Sequence, residues 1–133
     1  MCCIFCAIVT GDLPAEQIAE TDRALAFMDI NPATRGHALV IPKQHAEDLL
    51  SITAGELAHC TELAQEVARR AIDRLGADGV NLVNACGAAA WQTVYHFHLH
   101  VVPRYAGRDG LTLPWIPAPG DPAEIAAAAQ VLR

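Results

Sequence analysis

The segment Tyr95-His96-Phe97-His98-Leu99-His100-Val101-Val102 constrains the fold more than any other stretch of the chain. Polar imidazoles alternate strictly with apolar residues, and successive side chains of a β-strand point to opposite faces. A strand over Tyr95 to Val102, closed by Pro103, therefore places His96, His98 and His100 on one face. Phe97, Leu99 and Val101 face the other way, where they need an apolar layer to cover them. One strand thereby joins a core to a polar site. A lone histidine is ordinarily a hydrogen-bonded polar residue, but three at i, i+2 and i+4 leave two sharper readings. Either the row binds a catalytic metal, or one imidazole is a nucleophile flanked by helpers.

The cover is written in the middle of the chain. Thr53-Ala54-Gly55-Glu56 has the spacing of a capping box, in which each side chain accepts from the other residue's backbone N–H. After it Leu57, Cys60, Ala64, Val67, Ala71 and Leu75 recur at three- and four-residue intervals up to Gly76, predicting one long amphipathic helix. Further strands are predicted at Gln17–Glu20, Ala24–Ile30, His37–Ile41 and Val80–Asn84. The turn-rich Asn31-Pro32-Ala33-Thr34-Arg35-Gly36 makes the second and third an antiparallel pair. A C-terminal segment around Ala126–Ala129 reads as helical. Strands, helix, strands is the order of an α+β fold with an antiparallel sheet of about five strands, rather than of alternating βαβ units.

Composition narrows the function. At 133 residues, 53% of them apolar, the chain suits one domain over 1–133. Fifteen carboxylates against nine Lys and Arg give a net charge of −6, which disfavours nucleic acid as a partner. A basic pocket for a small phosphate ester is still compatible with that charge. No apolar run approaches the roughly 20 residues of a membrane span, and the N-terminus lacks signal-peptide regions, so a soluble cytoplasmic protein with no membrane partner is expected. Five cysteines, with Cys60 and Cys86 standing alone, point to reduced thiols or metal ligands rather than a disulfide framework.

Four ordered segments carry a resemblance: Cys3-Ile4-Phe5-Cys6, Ala26-Phe27-Met28-Asp29-Ile30-Asn31-Pro32, Gly36-His37-Ala38-Leu39-Val40-Ile41-Pro42-Lys43-Gln44-His45, and Gln92-Thr93-Val94-Tyr95 through the histidines to Pro103-Arg104. Together the sequence resembles the histidine triad (HIT) nucleotide hydrolases and transferases, over most of its length. The resemblance implies a HIT-like fold and purine nucleotide substrates, cleaved at the α-phosphorus through a covalent nucleotidyl-histidine. Both adenosine 5′-phosphoramidates and dinucleoside polyphosphates fit that chemistry, with adenylate as product and no cofactor required for catalysis. It makes His98 the nucleophile, with its other ring nitrogen held by a backbone carbonyl near His96, and His100, Thr93 and Gln92 helpers around the phosphate. Asp29 matches a ribose-binding carboxylate, although capping of the turn before Asn31-Pro32 is an equal alternative on composition alone. Phe27 and Ile30 would flank the base, unless they are core residues as apolar residues of a strand usually are, and Asn84 would contact the phosphate or leaving group. His37 matches a fourth histidine touching the triad, in a structural or a catalytic role. A homodimer that joins two sheets is implied, with Leu113-Pro114-Trp115-Ile116-Pro117 lining the partner's site.

Two features depart from the bare triad. Trp91 stands where many relatives carry glycine, so the loop before Gln92 is either differently shaped or walled by the indole, unless the ring is a core anchor. Cys3 and Cys6 form a C-x-x-C that, with His45 and His96, matches the structural zinc site of some bacterial relatives; the alternative is that the two cysteines are simply buried small apolar residues. Two thiolates and two imidazoles close a tetrahedron and leave no open position for chemistry. Cys2 is a spare thiol beside it. A metal-dependent hydrolase using the histidine row, and a nonenzymatic nucleotide-binding regulator, are the alternatives to the HIT-type hydrolase.

Overall fold

The computed structural model describes residues 3–133; Cys2 lies outside the described residues. Five strands, β1 (Gln17–Glu20), β2 (Ala24–Met28), β3 (Ala38–Pro42), β4 (Gly79–Val83) and β5 (Leu99–Arg104), form one antiparallel sheet in the order β1-β2-β3-β5-β4. Helix α1 (Ile4–Thr10) precedes them, α2 (Ala54–Leu75) links β3 to β4, and α3 (Pro122–Leu132) ends the chain. This is the α+β arrangement with a long central helix and a C-terminal helix that the pattern predicts.

Residue size decides which face each helix takes. Ala24, Ala26, Ala38 and Val40 point to α2, and these small side chains let the helix come close enough to pack Cys60, Leu63, Ala64 and Val67 against them. Phe97, Leu99 and Val101 join that cluster, as the alternation requires. On the opposite face Leu25, Phe27, Leu39 and Ile41 pack with Phe5 and Ile8 of α1. The histidine row shares this second face.

Three sequence expectations need correction. β5 begins at Leu99 and runs through Pro103 to Arg104, instead of spanning Tyr95 to Val102. Residues 95–98 lie outside the ladder, with Tyr95 exposed and His96, Phe97 and His98 all buried, because β3 is matched only from Leu99 on, where Leu99 pairs with Val40 and His100 with Leu39. Pro103 lies within this strand, opposite Val80 of β4. The capping box is half formed: Thr53 Oγ1 accepts from Glu56 N at 3.2 Å, while the Glu56 carboxylate turns to Arg23. Finally, β2 stops at Met28, and Asp29 and Ile30 belong to the turn.

The last 23 residues contrast with this core. All but Ala129 of residues 111–133 are exposed, including Leu113, Trp115, Ile116, Ile125, Val131 and Leu132. Among the described residues no helix is long and apolar enough to cross a membrane.

Candidate functional site

Backbone hydrogen bonds assign a protonated nitrogen to each histidine of the row. A carbonyl only accepts, so the 2.8 Å contact from His98 Nδ1 to the His96 carbonyl puts the proton of neutral His98 on Nδ1. The lone pair is then on Nε2. His37 Nδ1 accepts from the Ala33 N–H at 2.9 Å, which leaves the proton on His37 Nε2. That proton is donated to His100 Nδ1, also at 2.9 Å, and His100 must carry its own hydrogen on Nε2. The backbone thus presents one imidazole as a lone-pair donor and its neighbour as an N–H donor, with ring centroids 5.0 Å apart.

Electrostatics favour the neutral forms of His100 and His37. Burial pushes the His100 pKa down to about 4, with repulsion from His98 and His37 adding to it and Asp29 opposing. His37 is lowered by burial against the same carboxylate. Asp29 divides its oxygens: Oδ1 accepts from the Asn31 N–H at 2.8 Å, capping the turn, and Oδ2 stands 3.4 Å from His37 Nε2 and 4.0 Å from His100 Nδ1. Both readings of Asp29 therefore remain compatible with its placement. Asp29, His37 and His100 lie close enough to be metal ligands, but the 2.9 Å His37–His100 contact is a hydrogen-bond distance. It is shorter than the roughly 3.3 Å edge that two imidazoles on tetrahedral zinc would give.

The loop leading into the row is braced from inside. Gln92 is buried, its Oε1 accepting from Gly87 N at 2.8 Å and its amide hydrogens donated to the Glu47 and Val94 carbonyls at 2.9 and 3.1 Å. Donation to a phosphate oxygen would require one of the two amide bonds to open. Thr93, next in the chain, is exposed. Asn84 donates from Nδ2 to the His98 carbonyl at 3.0 Å, and its Oδ1 is buried with no hydrogen-bond partner. Trp91 takes a left-handed backbone (φ 72°) with its ring 80% exposed, so it is not a core anchor. Phe27 and Ile30 separate: Phe27 is 3% exposed within the core, and Ile30 is 91% exposed in the turn beside Asp29.

Cys3, Cys6, His45 and His96 converge at the other end of the row, with one donor atom of each within 4.8 Å of all the others. The Pro42 carbonyl accepts from His96 Nε2 at 2.8 Å, so the lone pair of His96 is on Nδ1. Cys3 Sγ, Cys6 Sγ and His45 Nδ1 all approach that one nitrogen, at 3.3, 3.5 and 3.1 Å, and Cys6 Sγ lies 3.5 Å from His45 Nδ1. A single lone pair cannot accept three hydrogen bonds, whereas a cation at the centre uses every donor. Tetrahedral zinc gives S–N edges of about 3.5 Å and N–N edges of about 3.3 Å, close to those found. The residues fit the metal, and the Pro42 carbonyl supplies the outer contact that orients a ligating histidine.

Three main-chain contributors escape a reading of the sequence: the Pro42 and Glu47 carbonyls and the Ala33 N–H, which residue identity does not encode. The His96 carbonyl is the backbone acceptor that the resemblance implies for His98. Phe5 is different: it lies inside the C-x-x-C and packs edge-on to His98 at 5.2 Å. Its place between the two cysteines was the available signal.

A family model described as the HIT domain matches residues 10–107. The adenosine 5′-monophosphoramidase hnt1 of Schizosaccharomyces pombe is 39% identical over 127 residues, covering 96% of this chain and 92% of the relative. A solved HIT family member from Bacillus subtilis superposes with a TM-score of 0.90 at 34% identity, over 99% of this chain and 95% of that one. A zinc-bound histidine triad family protein from Mycobacterium smegmatis gives 0.81 at 46% identity, over 98% and 96%.

Proposed function

Because the chain belongs to the histidine triad family, we propose that it is a nucleotide-binding hydrolase that cleaves purine nucleotide derivatives at the α-phosphorus. The observation that carries this reading is the pair of opposite tautomers at His98 and His100. In the first step the His98 Nε2 lone pair attacks phosphorus, the bond to the leaving group breaks, and a nucleotidyl-imidazolium forms. In the second, water attacks the same phosphorus, loses a proton, and the N–P bond breaks to return neutral His98 and release the nucleoside monophosphate. A cationic imidazole is a better leaving group than most of those it replaces, so one difficult displacement becomes two easier ones.

His100 Nε2–H is suited to donate to a nonbridging oxygen while charge shifts, without first losing a proton to solvent. Thr93 adds a hydroxyl for an oxygen or for proton delivery to the departing group. Asp29 Oδ2 can accept from ribose, and exposed Ile30 next to it offers an apolar surface to the base. The orphaned Asn84 Oδ1 would gain a partner from a ligand hydroxyl or a departing amine, which supports the contact expected of it. Gln92 serves this reading as the brace of the loop.

Cys3, Cys6, His45 and His96 would hold a structural zinc, which ties α1 to the sheet and supplies no chemistry at phosphorus. A homodimer belongs to the same proposal, supported by the exposed apolar arm over residues 111–133. The relative named as a phosphoramidase favours an amine leaving group.

The test is adenylate release from adenosine 5′-phosphoramidate and from diadenosine tetraphosphate, by intact protein and by folded His98→Ala. Release that disappears in the variant is the expected result, with the phosphoramidate preferred. Equal release by both proteins, or none by either, would overturn the reading.

A further inference from the structure

The cysteine cluster and the nucleophile are joined by two physical connections. His96 is one: its Nδ1 lies in the cluster while its carbonyl holds His98 Nδ1. Phe5 is the other. It is 6% exposed, with its ring edge-on to His98 (5.2 Å, 86°) and to His96 (5.9 Å, 74°), and Phe27 packs against it at 5.5 Å.

Phe5 is placed by the same two sulfurs. Helix α1 has only seven residues and is too short to hold itself in water. Its first turn is capped by Cys3, whose Sγ accepts from Cys6 N at 3.3 Å, and Phe5 lies within that turn. Whatever fixes Cys3 and Cys6 therefore fixes the Phe5 ring. The hydrogen bond to the His96 carbonyl anchors one corner of the His98 imidazole but leaves the ring free to roll about that bond. The edge of Phe5 stops the roll.

We propose that Phe5 is a positioning residue for His98, and that through it occupancy of the Cys3–Cys6–His45–His96 site sets how well the nucleophile is presented. This rests on His98 being the nucleophile, as argued above. In-line attack on phosphorus tolerates little misplacement, and an error of about 1 Å can cost on the order of a hundredfold in rate. Substrate contacts through Asp29, Ile30 and Asn84 do not pass through Phe5. The effect therefore falls on kcat and leaves KM nearly untouched.

The experiment compares zinc-loaded intact protein, zinc-stripped intact protein, Phe5→Leu, and Ile8→Val, which thins the same apolar cluster while leaving the Phe5 ring in place. Zinc content and melting temperature establish that each is folded. Nitrogen-15 NMR of the histidine rings follows the His98 Nδ1–H signal, and turnover of adenosine 5′-phosphoramidate gives kcat and KM. Phe5→Leu with zinc retained should lose about tenfold in kcat with KM within twofold, and its His98 signal should broaden. Stripping zinc should do the same to intact protein, readdition should reverse it, and Ile8→Val should show neither effect. An unchanged His98 signal and kcat in Phe5→Leu, or in folded zinc-free protein, would overturn the proposal. If intact protein turns over no substrate, the catalytic reading of His98 fails and the kcat effect with it. The NMR comparison still decides separately whether Phe5 and zinc hold the ring.

Discussion

Trp91 is the only non-glycine among the described residues with a left-handed backbone, and its indole is largely in water. A bulky L-residue in that conformation costs about 1 kcal/mol, and no packing returns it. Trp91→Gly should therefore raise the unfolding free energy by about 1 kcal/mol, measured by urea denaturation. The loop keeps the glycine-compatible path despite the substitution, with Trp91 N donating to Ala88 O at 3.0 Å. His100 gives a second prediction at this scale. Its pKa is near 4 in the folded protein and about 6.5 when unfolded, so the unfolded chain binds more protons between those values. Stability is therefore full above about pH 6.5 and falls as pH drops toward 4. Between pH 7.5 and 4.5 this residue should account for about 2 kcal/mol, seen as a shallower pH dependence of urea unfolding in His100→Asn. His37, also lowered by burial, acts in the same direction.

Among the elements, those whose hydrophobic period matches their burial were legible from the sequence. The α2 stripe runs from its Thr53 cap to Gly76 as expected, and the inward row Phe97, Leu99 and Val101 packs beneath it. Boundaries were less legible where a partner decides them, since alternation from Tyr95 to His98 is the same whether or not a neighbouring strand is within reach. Spacing puts the three histidines on one face but leaves a catalytic metal and a nucleophile as alternatives; His98 as nucleophile and Cys3, Cys6, His45 and His96 as zinc ligands are what the family resemblance implies. The tautomers are not legible in residue type, because main-chain groups of Ala33, Pro42 and His96 set them. Phe27 shows a limit of residue type: an aromatic close to a carboxylate expected to hold ribose reads as a base contact, yet the strand turns it into the core. The turn between β2 and β3 makes a firm prediction. Gly36 has φ +88°, and a Cβ there would collide with the Leu75 side chain and crowd Pro103. Gly36→Ala should destabilise by about 2 kcal/mol or more, measured by denaturant unfolding, since backbone strain and the clash of the new Cβ with α2 and β5 add.

For the whole molecule, the exposed C-terminal arm is the part that the core does not explain. Leu113, Trp115 and Ile116, followed by a helix with no buried residue, leave a run of large apolar side chains open to water. Light scattering with gel filtration should give twice the chain mass at micromolar concentration, and Trp115→Ser with Ile116→Ser should shift it toward monomer. A monomer in the intact protein would count against the dimer. Net charge was informative at this scale only by exclusion, since a total of −6 says nothing about one cleft. The central claim is that His98 Nε2 becomes covalently nucleotidylated. Intact protein mixed with adenosine 5′-phosphoramidate, quenched within milliseconds under alkaline conditions that preserve N–P bonds, should yield an adenylyl group on the peptide carrying His98 and none in His98→Ala. Turnover with no protein-bound adenylyl group at any quench time, or an adduct on another residue, would contradict the account.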